Sequence, residues 1–389
     1  MQHRPRSTYT KRPLRVLLLL NAPQNDWLGL DLMNAIKKQQ NEAVFFGIGG
    51  PLMEKAGLHG LPGMAHRMNF LALKNIFTRR NIIRDLCQQC AEKSIDTIIT
   101  IGPAPVFTPF IRRITHKNPG LMCFHYGNIY KLQEAFSGQG RFHYKKLRCY
   151  KKVFSFFPFK EERLKEYGVS AQFVGHPMLE HFAELIPTGE TRPLNSPRCM
   201  ALLPGRKGAT IRQFMPILAN ALFDIRQQAP GAEVVLPLAN ATNPRFFEPF
   251  AGIEAKYVRG EEKHRAISFC DAAIAVAGES NLTLAVFGVP TVAIYKNPAK
   301  SWLSPLRRRR EGYKSPINTL LSREAIPEVA AVNHAYIAMQ AQQLLDNSPE
   351  RKAQLSAFKD VRAALRPPEG KSASQMAAKL FLEDLGRLS

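Results

Sequence analysis

Residues 201–214, ALLPGRKGATIRQF, run from an apolar strand through a glycine turn into a helix, and this strand–turn–helix order decides the fold class. Gly205 and Gly208 permit a tight turn, and Arg206 and Lys207 set two cations in it. Backbone N–H groups at a helix N-terminus attract anions, and neighbouring cations strengthen that attraction. The G-x-x-x-x-G-K-[ST] spacing of a Walker A loop is absent. Taken alone, the turn reads equally as a phosphate cradle and as a basic surface turn between packed elements.

The same unit recurs along the chain. RVLLLL 15–20, AVFFGIG 43–49, DTIITIG 96–102, LMCFHY 121–126 and KVFSFF 152–157 are nearly continuous apolar runs. CMALLPG 199–205, EVVLPLA 233–239, AAIAVAG 272–278 and TVAIYK 291–296 repeat the pattern later. Such runs alternate with helix-length amphipathic segments, as strands do when helices cover both faces of a parallel sheet. The Pro-rich polar stretch 185–198 has linker composition. The predicted organisation is a basic tail 1–13, a domain 14–184, a linker 185–198, a domain 199–370 and an amphipathic C-terminal helix 371–389. The predicted fold is α/β, with two Rossmann-like domains facing a cleft and ligand bound beside the carboxyl ends of the strands.

Bulk properties narrow the chemistry. With 54 Lys+Arg against 31 Asp+Glu, the 389-residue chain carries a formal charge of +23, which implies an anionic partner: nucleic acid, acidic membrane or phosphorylated substrate. The six cysteines are scattered and form no disulfide framework, so a reducing compartment fits. Cys87 and Cys90 form a lone C-x-x-C with no second pair to complete a zinc site. The run VLLLL near the N-terminus is too short for a secretion signal, and no stretch is apolar enough to span a bilayer. A cytoplasmic protein is expected.

A second loop sharpens the reading of the first. In AIAVAGESNLTLAVFG 273–288, Gly278, Glu279, Ser280 and Asn281 again follow a strand and open a helix. They offer backbone amides and small polar groups to a nucleotide phosphate or ribose, where the plainer alternative is an ordinary N-cap. Two such loops at strand ends of one sheet edge favour a nucleotide. In FVGHPMLE 173–180, a Gly-His-Pro turn sets His176 at the interdomain junction, facing the cleft or structural.

These residues resemble the lipid-A-disaccharide synthase family, glycosyltransferases of GT-B architecture. FFGIGGPLMEKAGL 45–58 and FFPFKEERLKEYGVSAQFVGHPMLE 156–180 are similar to long signature segments of that family. Weaker similarity runs through LLPGRKG, VVLPLANA 234–241, the 277–290 loop and YKSPINTLLSREAIPE 313–328, covering most of 14–330. The chain departs from the family pattern in places. NAPQND 21–26 keeps only the aspartate of the family's first loop, Pro103 and Val106 replace aspartates, Arg206 replaces a serine and Thr283 replaces a glutamate.

The resemblance implies an inverting transfer from UDP-2,3-diacylglucosamine to 2,3-diacylglucosamine 1-phosphate (lipid X), with no metal and no cofactor. Residues 203–208 and 277–281 would hold UDP, Asp26 would line the acceptor side, and Asn318 matches a family asparagine. An acceptor hydroxyl needs a general base, for which Asp26, His125 and His176 are the candidates and Asp26 is the one assigned. UDP departure needs preorganised positive charge, which suits the basic turn, the helix N-terminus and His176. His125 and Asn318 are assigned to the acceptor.

Acylated substrates also require access to lipid. In 66–86, Phe70, Leu73, Ile76 and Phe77 share a helical face that ends in Arg79, Arg80 and Arg84. That pattern fits a membrane-interface helix and equally a core-facing one. Trp302, Arg307–Arg310 and the basic tail would attract an anionic inner-membrane surface, placing the protein peripherally on its cytoplasmic face. Self-association stays open. A paralogue with another acceptor and a non-catalytic nucleotide-sugar or membrane binder are the alternatives. Nucleic acid is not expected as a partner, because no recognised motif or interleaved aromatic platform accompanies the charge.

Overall fold

The computed structural model describes residues 12–21, 25–61, 76–102, 107–127, 144–187, 194–195, 197–239, 242–250, 252–260, 262–296 and 312–388, the side chains of 76–83 excepted. The described chain divides into two compact units. One ends at Pro177 and resumes at Pro367, and the other spans Met178–Arg366.

The first unit is a doubly wound parallel sheet. Its elements are β1 (Arg15–Leu20), α1 (Asp26–Gln39), β2 (Val44–Ile48), α2 (Pro51–Lys55), β3 (Leu58–Gly60), α3 (Ile76–Glu92), β4 (Thr97–Ile101), α4 (Thr108–Lys117), β5 (Met122–Tyr126), β6 (Lys152–Ser155), α5 (Pro158–Glu166) and β7 (Ala171–Phe173). The strand order is β3-β2-β1-β4-β5-β6-β7, with every pair parallel. The chain winds outward from β1 to β3 and then returns to β4 on the other side of β1. This reversal leaves a topological switch point between β1 and β4.

The continuous apolar reading of β1 has a direct cause. Val16, Leu18 and Leu20 enter one core with Leu28, Leu32 and Ile36 of α1. Leu17 and Leu19 enter the opposite core with Leu86 of α3 and Phe110 and Ile111 of α4. Both faces are sealed, and each such side chain contributes roughly 1.5–3 kcal/mol by leaving water.

The second unit holds α6 (Met178–His181), β8 (Cys199–Leu203), α7 (Gly208–Gln228), β9 (Glu233–Pro237), β10 (Lys256–Val258), α8 (Glu262–Ser268), β11 (Ala272–Val276), α9 (Glu279–Val286), β12 (Thr291–Tyr295), α10 (Pro316–Leu321), β13 (Glu328–Ala330), α11 (His334–Leu345) and α12 (Pro349–Leu365). Its strand order is β10-β9-β8-β11-β12-β13, again all parallel, with the switch point between β8 and β11. The two Rossmann-like sheets expected from the sequence are therefore present.

Three-residue strands end both sheets: β3 and β7 in the first, β10 and β13 in the second. Strands that short carry no readable periodicity, which is why the sequence reading passed over them.

The polar stretch 185–198 falls inside the second unit's share of the chain. Phe182, just before it, packs edge-on against Phe287 at 5.4 Å and beside His264 at 4.4 Å, all three within the second unit. The C-terminal helix α13 (Ala373–Asp384) belongs to the first unit. Phe381 meets Phe124 edge-on at 5.1 Å, and Asp384 pairs with Lys152 at 2.7 Å. Among the described residues no helix is long and apolar enough to cross a membrane.

Candidate functional site

The loops after β8 and β11 sit side by side. These strands are hydrogen-bonded neighbours with Leu203 opposite Ala275, so Pro204–Lys207 and Ala277–Gly278 leave adjacent strands at one sheet edge. They flank the switch point, where open α/β sheets bind ligands.

Sterics explain the glycines of the first loop. Gly205 adopts φ +95°, and a Cβ there would lie 2.8 Å from Thr210 Cγ2. A Cβ on Gly208 would lie 2.3 Å from Phe246 Cζ, and the same ring holds the Arg212 guanidinium 5.0 Å from its centre. Helix α7 then starts after Lys207 with no side-chain cap and no acidic residue in its first turn. The N–H groups of Gly208, Ala209 and Thr210 have no helical acceptor. Arg206 and Lys207 are exposed, and among the described residues no carboxylate pairs with either. The result is a positive helix end with unneutralised cations, as an anionic ligand requires.

The second loop is partly self-satisfied. Gly278 N–H donates to Asn281 Oδ1 at 2.8 Å, and Asn281 is fully buried. Asn281 thus uses its Oδ1 to fix the turn, while its buried Nδ2 has no hydrogen-bond partner among the described residues. Glu279 and Ser280 are half-buried at the start of α9, with N–H groups outside the helical ladder.

Asp26, His125, His176 and Asn318 are all buried. Asp26 is 5% exposed; its Oδ1 accepts N–H bonds from Gly50 (3.0 Å) and Met53 (3.4 Å), and its Oδ2 accepts one from Leu52 (2.6 Å). The carboxylate caps α2 from the start of α1, and a Cβ on Gly50 would come 2.5 Å from Oδ2. This bracket gives the GIGGPLM segment its glycine and aspartate requirement. Three backbone donors converge on this carboxylate.

His176 is 3% exposed and packs 5.4 Å from the rings of both Phe156 and Phe157. Burial pulls it down to about 3, so the ring is neutral near pH 7. His125 is fully buried within β5, with Nδ1 2.8 Å from Thr100 Oγ1, and is lowered to about 3 for the same reason. Asn318 is fully buried too. Its Nδ2 donates to Ile326 O and Glu328 Oε1, both at 2.9 Å, and its Oδ1 accepts from Ala325 and Ile326 N–H. The hydrogen-bonding capacity of Asn318 is taken up in closing the loop before β13.

The lipid-A-disaccharide synthetase family model matches residues 17–380. The chain belongs to that family. A lipid-A-disaccharide synthase of Pseudomonas putida KT2440 is 28% identical over 397 residues, covering 95% of this chain and 98% of that one. Among solved structures, the UDP-GlcNAc 2-epimerase of Neisseria meningitidis bound to UDP-GlcNAc is similar at a TM-score of 0.61 and 10% identity, covering 96% of this chain and 100% of that one. A glycosyltransferase from Rickettsia africae reaches 0.59 at 13% identity, covering 96% and 99%. At those identities the likeness is one of fold, and it puts this lipid-A-disaccharide synthetase family member among GT-B architectures.

The family member carries site features that its sequence did not reveal. Lys263, on α8, is lowered by burial and by the Arg206 charge, which brings a third cation to the first loop. Beside it, His264 falls to about 3, through burial first and then Lys263 and His181. More than fifty residues separate α8 from the glycine turn, and only the sheet order joins them. Pro103 and Val106 lie outside the described residues, as do Phe70 and Leu73; Ile76, Phe77 and Arg80 fall on α3, where side chains are not described. No cluster of three or more His, Cys, Asp or Glu side chains suited to a metal occurs among the described residues.

The two buried histidines of the first unit predict acid sensitivity. Their folded values lie near 3, below the usual 6.5, so between those limits the unfolded chain binds more protons. Stability is then full above about pH 6.5 and falls as pH drops towards 3, by about 1.4 kcal/mol per pH unit for each histidine well inside that window. Urea unfolding followed by tryptophan fluorescence at pH 7.5 and pH 5 is expected to show a lower midpoint at pH 5. Equal midpoints would rule this out.

Proposed function

We propose that this chain transfers the diacylglucosamine unit of UDP-2,3-diacylglucosamine to the 6-hydroxyl of lipid X. The acceptor oxygen attacks the donor C1 as the C1–O bond to UDP breaks. The products are the β-1,6 disaccharide 1-phosphate of lipid A and UDP, with the hydroxyl proton passing to a base. The second unit takes the donor and the first unit takes the acceptor.

In this reading Arg206, Lys207, Lys263 and the first turn of α7 hold the diphosphate and stabilise the charge that grows on UDP as it leaves. The N–H groups of Glu279 and Ser280 approach from the neighbouring loop, and Glu279 accepts from a ribose hydroxyl. Gly205, Gly208, Gly278 and Asn281 fix the backbone that presents these donors. Asp26 and His176 keep the acceptor-side loops in place. The protein works in the cytoplasm at the inner-membrane surface, drawn there by segment 66–86 and the 302–310 basic run.

The observation that carries the proposal is the pairing of two glycine turns at the β8/β11 switch point in a chain that matches the family model over residues 17–380. That full-length match also weighs against a non-catalytic binder. Purified protein given UDP-2,3-diacylglucosamine and lipid X in detergent micelles is expected to release UDP and form disaccharide, detected by mass spectrometry. UDP binding with no disaccharide would overturn it.

A further inference from the structure

The scattered cysteines conceal one pair that the sheet order brings together at the amino edge of the second sheet. Cys199 opens β8, and Cys270 stands two residues before β11. Both are thiols, and their sulfurs lie 3.3 Å apart. The Cys199 thiol donates to Cys270 Sγ, and the Cys270 thiol donates in turn to Ala266 O at 3.4 Å. A disulfide brings its sulfurs to about 2.05 Å, so about 1.3 Å of approach separates this pair from a covalent bond. Side-chain rotation covers that distance if the backbone already holds the two residues together.

The backbone does hold them. Asp271 N–H donates to Cys199 O at 2.7 Å, and the Asp271 carboxylate accepts the Cys199 N–H on Oδ2 at 2.8 Å and the Asn195 N–H on Oδ1 at 2.9 Å. The buried Arg351 guanidinium donates to Asp271 O at 2.5 Å. The pairing of Met200 with Ala272 continues the tie into the sheet. Cys270 N–H donates to Ile267 O at 3.0 Å, which fixes the exit from α8.

The two sulfurs differ in access. Cys199 is half-buried and Cys270 fully buried, the arrangement of an entering thiol with a resolving thiol behind it. The other four cysteines are placed differently. Among the described residues none of Cys87, Cys90, Cys123 and Cys149 hydrogen-bonds to another sulfur. Burial raises all four thiols, Cys90 to about 12 and Cys149 to about 11, which keeps them protonated near pH 7.

We infer, independently of the reaction proposed above, that Cys199 and Cys270 are a redox pair that closes into a disulfide when a small-molecule disulfide such as oxidised glutathione accumulates. The Cys199 thiolate attacks one sulfur of the small disulfide and expels a thiolate. The Cys270 thiolate then attacks Cys199 Sγ in the mixed disulfide and expels the second. One S–S bond breaks and another forms. The protein loses two electrons, the small disulfide gains them, and the two thiol protons pass to the departing thiolates.

The new bond joins residues 71 apart in sequence and encloses β8, α7, β9, β10 and α8 in one loop. A cross-link that closes a loop of this length restricts the unfolded chain strongly, so the oxidised second unit is the more stable form. Both glycine turns lie at the opposite ends of the same strands, away from the bond.

The test uses the full chain at neutral pH. Protein incubated with excess oxidised glutathione, unfolded in an alkylating agent and digested is expected to yield one peptide pair joined through Cys199 and Cys270. Cys87, Cys90, Cys123 and Cys149 should be alkylated, and dithiothreitol should return the joined pair to the alkylated pool. Oxidation is expected to raise Tm by about 5–15 °C. Cys199→Ser and Cys199→Ala should each abolish that shift, and Cys270→Ala should trap glutathione on Cys199. A parent in which glutathione stays on Cys199, in which both residues remain open to alkylation after oxidation, or in which Tm is the same in both redox states would overturn the inference.

Discussion

Replacing Arg206 and Lys207 together by alanine is expected to lower kcat/KM for the UDP-sugar by about 10²–10³-fold or more, the scale of removing preorganised donors to a developing anion. Both side chains are exposed and unpaired with any carboxylate among the described residues, so the fold does not depend on them. Tm should stay near that of the parent, since exposed substitutions of this kind usually change stability by no more than about 0.5 kcal/mol. The two losses should combine non-additively, because both cations act on one diphosphate. Arg206→Ser, which installs the hydroxyl that resembling sequences carry, is expected to keep more activity than Arg206→Ala. Steady-state kinetics with UDP release as readout checks this. A double variant with parental kcat/KM would remove the loop from the donor site.

Asp26→Ala is expected to act through the fold. Three backbone N–H groups converge on this carboxylate, and the substitution leaves them unanswered in a buried turn. A loss of about 3 kcal/mol or more follows, given roughly 1.5–3 kcal/mol for a hydrogen bond to a charged group and incomplete additivity. Asp26→Asn keeps one acceptor oxygen but turns an amide donor towards N–H groups, so it should fall between alanine and the parent. Urea unfolding measures both. A variant with parental stability and no activity would show that Asp26 is a base and that its capping role is minor.

Much of the architecture was legible in the sequence because sealed parallel strands read as unbroken apolar runs. RVLLLL 15–20 and AAIAVAG 272–278 mark β1 and β11 for that reason. The three-residue edge strands had too few positions to show a period. The glycine turn after β8 was legible in part: Gly205 meets Thr210 five residues on, whereas the need for glycine at 208 comes from Phe246, far along the chain. Side-chain roles were harder to read. His125, His176 and Asn318 looked reactive by residue type, but burial makes the histidines neutral and local hydrogen bonds occupy the asparagine. Lys263 gave no local signal, because its significance comes from a neighbour, Arg206, brought close by sheet order.

We assign the UDP diphosphate to the β8/β11 switch point of the second unit. A crystal structure of the full chain with UDP tests it most directly. The diphosphate is predicted within hydrogen-bonding distance of the Gly208 or Ala209 N–H, with Arg206 or Lys207 on its oxygens and the Glu279–Ser280 amides opposite. UDP bound away from these two turns, or in contact with the first unit alone, would contradict it.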